Sequence, residues 1–73
     1  MEKFIEFFAE QFDELHTTLT PETRFRELEE WSSFMGLSII AMVDDEYDVT
    51  IKGDDIRKSN TIKDIYDIVA SKQ

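Results

Sequence analysis

Placing successive residues at about 100° from Phe4 gathers Ile5, Phe8, Phe12 and Leu15 on one face, with Phe7 at its edge and Glu2, Glu6, Glu10 and Asp13 opposite. The spacing predicts an amphipathic helix over roughly residues 2–16. Thr17, Thr18, Thr20 and Pro21 end it, because β-branched side chains crowd the preceding turn and proline disfavours helical geometry in the residue before it. His16 then falls at the C-terminal end, where a cation is mildly stabilising. From Thr17 to Trp31 apolar residues are sparse, and Phe25, Leu28 and Trp31 recur at three-residue spacing. That pattern suits an ordered, irregular segment or single turn pinned onto a core.

Ser32 to Tyr47 opens with two cap-forming residues and runs through an apolar stretch to Asp44, Asp45 and Glu46. Its length and its cap favour a helix, against a buried strand that Ile39, Ile40 and Val43 would also suit. Gly36 inside that helix costs about 1 kcal/mol relative to alanine. Val49, Thr50 and Ile51 alternate like a strand but have no partner strand, so an extended loop with Val49 and Ile51 turned inward is the better reading. Gly53, Asp54 and Asp55 start a short helical turn around Ile56. The last element runs from Thr61, with Asp64 three residues on as in a capping box, through Ile62, Ile65, Tyr66 and Val69 to Ser71, with Asp64 and Asp67 facing solvent. The expected fold is all-α: a small bundle of three main helices plus one short helix, in a single domain spanning residues 1–73.

Composition narrows what such a bundle does. A chain of 73 residues buries one small core and has no room for a deep catalytic cleft. Without cysteine it has neither disulfide nor thiolate metal site, and one histidine leaves little basis for zinc. Asp48, Asp54 and Asp55 lack the ordered spacing and terminal Glu of a calcium loop. Seventeen acids against eight bases give a net charge of -9, which disfavours nucleic-acid backbones and anionic membranes as partners and favours basic protein surfaces and a monomer. The glutamates at positions 2, 6 and 10 break up any leader-like apolar core, and no apolar run approaches the roughly 20 residues that span a bilayer. A cytoplasmic protein without membrane insertion is expected.

Candidate chemistry sits at Ser32 and Ser33, between Trp31 and Phe34. One serine suffices as a helix cap. Ser32 as cap and Ser33 as first helical residue is one account of the pair. The other is that the helix N-terminus, with its free N–H groups and positive dipole end, favours a phosphate bonded to Ser33.

Trp31-Ser32-Ser33-Phe34 resembles the Trp-Asp-Ser-Leu that opens the second helix of acyl and peptidyl carrier proteins. Ala41 to Tyr47 followed by Asp48-Val49-Thr50-Ile51 is similar to that family's apolar helix, acidic end, aromatic residue and short extended segment. Thr61-Ile62-Lys63-Asp64 is similar to the start of its final helix. Tyr47 lies 14 residues after Ser33 and Thr61 a further 14 on, and this joint spacing carries the resemblance more than any single motif. The resemblance implies a carrier without catalytic residues, with a covalent 4'-phosphopantetheine on Ser33 whose thiol holds acyl intermediates as thioesters, in fatty-acid or specialised acyl or polyketide-type biosynthesis. It further implies a phosphopantetheinyl transferase and acyl-transferring, ligase or synthase enzymes with basic surfaces as partners, and a cargo shelter in the interhelical core, for which Phe8, Phe12, Ile40, Val43 and Ile65 are the expected lining. Two residues depart from the pattern: Ser32 stands where the family has Asp, and Phe34 where it has Leu.

A helical wheel of the second helix puts Phe34, Met35, Ser38, Ala41, Met42 and Asp45 on one side and Gly36, Ile39, Ile40, Val43 and Tyr47 on the other. With the second set as core, the first is an exposed, mainly apolar partner-binding stripe; alternatively Met35 and Met42 fill the core of a helix buried all round. Two other functions remain to be weighed. An unmodified acidic adaptor with the carrier fold would use the same stripe on a basic partner, and a hydrolase pairing Ser33 with His16 would lack an acidic orienter and an oxyanion arrangement.

Overall fold

In the computed structural model, which describes all residues 1–73, four α-helices and one 3-10 turn follow in the order α1 (Glu2–Glu10), the turn (Phe25–Glu27), α2 (Ser33–Tyr47), α3 (Gly53–Lys58) and α4 (Ile62–Lys72). The expected all-α bundle of three main helices and one short one is observed. Phe4 and Phe8, one helical turn apart, are fully buried at the centre. Around them lie Phe25, Ile39, Val43, Ile51, Ile62, Ile65 and Val69, all nearly inaccessible. No helix is long and apolar enough to cross a membrane.

α1 is shorter than its periodicity predicts, ending at Glu10 instead of near residue 16. The amides of Gln11 and Phe12 reach the carbonyls of Phe8 and Ala9, tightening the last turn, and Gln11 Nε2 caps the Phe7 carbonyl at 3.0 Å. No basic residue stands in that last turn, and continuing the helix would place Asp13 and Glu14 on its negative dipole end. Phe12 still reaches the core, with ring centroids 6.1 Å from Phe8 and 6.5 Å from Trp31, so the apolar spacing persists after the helix has stopped. His16 consequently lies beyond the helix and exposed, its backbone N–H donating to Glu30 Oε2 at 3.1 Å. That bond holds the Glu30 carboxyl below its usual range.

The connection to α2 is ordered by what it caps. The carbonyls of Pro21 and Thr23 accept the amides of Lys63 and Ile62 at 2.9 and 3.2 Å, satisfying first-turn donors of α4. Leu19 and Phe25 turn inward, and Phe25 meets Trp31 at 4.8 Å between centroids. Beyond α2, Asp48 takes a left-handed conformation with φ 55° and closes the helix, its amide donating to Asp44. Val49 and Ile51 then point inward in extended chain, as the alternation predicts.

α4 begins with the anticipated capping box: Thr61 Oγ1 accepts from the Asp64 amide at 3.2 Å while Asp64 Oδ2 accepts from Thr61 at 3.0 Å and Asn60 at 2.9 Å. Asp64 is thus half-buried and engaged, while Asp67 faces solvent and pairs with Lys63. The amides of Asn60 and Thr61 hold the Asp64 carboxyl below its usual range. A carboxyl depressed in the folded state stabilises fully above its unfolded value and loses that contribution as pH falls through the folded one. Asp64→Asn should therefore melt below wild type at neutral pH, with the gap closing as melts are repeated at pH values below the ordinary aspartate range; a constant gap would contradict this.

Candidate functional site

Ser32 adopts extended geometry, φ -146° and ψ 168°, and α2 starts at Ser33. The Ser32 side chain makes no capping bond, and no acidic residue occupies the first turn. Of the first-turn amides, that of Met35 donates to the Ser32 carbonyl at 2.9 Å, so this end presents the N–H groups of Ser33 and Phe34 and a positive dipole to whatever stands on Ser33. The Ser33 side chain is exposed. Its arrangement fits a phosphate ester on Oγ, whose oxygens would find donors without displacing a side-chain cap.

Ser33 also lines a groove of about 470 Å³ between α2, α3 and the 3-10 turn. Trp31, Leu37, Ile40 and Ile56 supply its apolar surface, and Arg26 and Arg57 its charge. Both glycines of the chain, Gly36 and Gly53, are on its wall. A Cβ at Gly36 would meet Trp31 Cζ2 at 3.9 Å and Ile56 Cγ2 at 4.0 Å, which is ordinary contact. Gly36→Ala is therefore expected to stabilise α2 by about 0.5–1 kcal/mol, a rise of a few degrees in Tm, while making the groove shallower. A fall in Tm on thermal denaturation would show that the contacts are tighter than these distances.

The structure redistributes the residues that sequence reasoning placed here. Of the expected cargo lining only Ile40 faces the groove; Phe8, Val43 and Ile65 are in the close-packed core and Phe12 is 8% exposed. Those four are corrected from shelter to core, because the α1 aromatics fill the bundle centre and leave the opening on the α2–α3 side. Met42, expected on the exposed stripe, is 5% exposed and belongs to the core. α2 has neighbours on more than one side, so its apolar residues are covered well beyond a single stripe. Met35 and Ser38 are half-buried, with Met35 against the core. Phe34, at 70% exposure, together with Ala41 and Asp45, does lie on the surface.

Sequence reasoning missed Leu37, 65% exposed beside the groove, and the arginines Arg26 and Arg57. The two glycines were the available signal, since a chain with only two has both where helix backbones border one opening. Asp44, Asp45 and Glu46 are exposed at the far end of α2, 10–13 residues or roughly 15–20 Å from Ser33–Phe34 along the axis.

A solution NMR structure of the holo acyl carrier protein from Geobacter metallireducens matches with a TM-score of 0.79 at 22% sequence identity, over 97% of this chain and 82% of that one. No family profile matches the chain, and no curated protein does. Element order, helix lengths and this superposition lead to one conclusion: the chain has the fold of an acyl carrier protein.

Proposed function

We propose that the protein is a non-enzymatic acyl carrier that is converted to its working form by attachment of 4'-phosphopantetheine to Ser33. The observation that carries this reading is the position of Ser33 in this fold: an exposed hydroxyl on the first residue of an uncapped α2, at the edge of an apolar groove. A phosphopantetheinyl transferase joins the Ser33 Oγ to the phosphate of the arm, drawn from coenzyme A; the hydroxyl proton is lost, the pyrophosphate bond breaks, and adenosine 3',5'-bisphosphate leaves. The bound arm supplies a thiol that carries acyl groups as thioesters. The protein's own residues attach it, present it and shield part of the cargo.

Partners on this reading are the transferase and acyl-transferring, ligase or synthase enzymes with basic surfaces, met by a monomer in the cytoplasm. Phe34 and Leu37 make the modified end of α2 apolar, and the acids are held back to its far end. That distribution favours a specialised acyl or polyketide-type route with dedicated enzymes over general fatty-acid synthesis. Intact-protein mass spectrometry after co-expression with a broad-specificity transferase tests the reading. A gain of one phosphopantetheine supports it; an unmodified chain with several transferases favours an acidic adaptor of the same fold, for which the absence of an acid before Ser33 is the supporting observation.

A further inference from the structure

The groove beside Ser33 has a charge opposite to that of the chain. The net charge is -9, yet none of the 17 acids lines the groove, whereas Arg26 and Arg57 both do. A cleft walled by one sign of charge concentrates ligands of the other. Arg57 is neutralised by Asp54, just as Arg24, Lys63 and His16 have carboxylates beside them. Arg26 has no such partner. Neutral acceptors hold it instead: Nη1 donates to the Ile56 carbonyl at 3.0 Å and Nη2 to Asn60 Oδ1 at 3.2 Å, and the guanidinium lies 5.2 Å over the Phe25 ring. These contacts fix the planar fork in place and leave its charge uncompensated.

We infer that the groove selects an acyl cargo ending in a carboxylate, with Arg26 as the group that receives it. The inference rests on the carrier reading above. Trp31, Leu37, Ile40 and Ile56 accept the methylene chain, and at about 470 Å³ the space falls within the roughly 300–1,000 Å³ of small-molecule sites. A neutral chain gains nothing from Arg26. A terminal carboxylate gains a charge-assisted bond to a guanidinium that is already ordered, so little side-chain entropy is lost on pairing. The phosphodiester of the arm is anchored on α2, where the helix N-terminus receives it; Arg26 is tied to the C-terminal end of α3 through Ile56.

The test loads the full chain from pentanoyl- and glutaryl-coenzyme A with a phosphopantetheinyl transferase and follows thioester cleavage by neutral hydroxylamine. Rates are referred to the same thioesters on free pantetheine. The glutaryl form is expected to be protected about fivefold more than the pentanoyl form, as a partly shielded ion pair allows. Arg26→Gln is expected to remove that difference by bringing the protection of the glutaryl form down to that of the pentanoyl form. Equal protection of the two cargoes in wild type overturns the inference, as does a difference that survives in Arg26→Gln. An equal effect of Arg26→Gln on both cargoes assigns the arginine to the shared phosphodiester and overturns it too. The wild-type comparison needs no variant, so a folding defect in Arg26→Gln does not protect the idea. Failure to load at all refutes the carrier reading itself; loading without discrimination refutes the cargo inference alone.

Discussion

Phe8→Ala is expected to remove about 3–5 kcal/mol and to leave little cooperative melting transition. Phe8 is inaccessible and is the aromatic with the most ring neighbours: its ring lies 6.3 Å from Phe4, 6.1 Å from Phe12, 6.1 Å from Phe25 and, stacked, 6.4 Å from Trp31. Through these contacts one residue of α1 holds the following turn, the 3-10 segment and the approach to α2. A chain of this length has a total stability of about 4–11 kcal/mol, so the loss is comparable with the lower end of the whole. At about 4–8 °C per kcal/mol, a Tm drop of at least 12 °C or so should appear in thermal denaturation followed by far-UV circular dichroism. Phe34→Ala is the control. The same truncation at a side chain 70% exposed should shift stability by no more than about 0.5 kcal/mol. Similar melting of the two variants would mean that the bundle repacks around the missing ring.

Ser33→Ala is expected to abolish the phosphopantetheine mass gain completely while leaving the fold intact, because on the proposed reading it removes the atom to which the arm bonds, and it touches no packing contact of an exposed side chain. Ser32→Ala should still be modified. Its side chain makes no capping bond, so the neighbouring serine is dispensable for both helix and attachment. Ser32→Asp should raise Tm, by about 1 kcal/mol of capping and helix-dipole interaction, and should speed modification by supplying the carboxylate that carrier proteins usually place before the serine. Mass spectra of the three variants beside wild type separate these outcomes. Modification persisting in Ser33→Ala would move the attachment to another hydroxyl and with it the argument built on the start of α2.

Local physics made much of this protein legible from its chain. Thr61 and Asp64 announced the start of α4 because a capping box is satisfied within four residues, and the length of Ser32–Tyr47 sufficed for α2, although the cap expected of Ser32 is not made. Val49 and Ile51 could be placed inward because extended chain without a partner strand has few other ways to be buried. The serine at the start of α2 was identifiable for the same reason: a helix N-terminus and the residues flanking it are contiguous in sequence.

Tertiary structure decided what depends on neighbours distant in the chain. The periodicity of residues 4–15 is real, but Phe12 and Leu15 satisfy it from irregular backbone, and only the packing of Phe12 on Trp31 and the unfavourable charge beyond Glu10 stop α1 early. A wheel of α2 assigns faces relative to one another without saying how many neighbours the helix has, so sequence left Met42 between surface stripe and core, and three dimensions put it in the core. The groove had no local signature either. Arg26, Leu37 and Arg57 come from three separate elements, and Arg26 takes its place through Ile56 and Asn60, 30 and 34 residues away. The chain alone therefore determined the order of its helices, its charge and a serine at a helix start; where α1 stops, which side of the bundle stays open, and the uncompensated cation that faces it, were settled by how those helices pack.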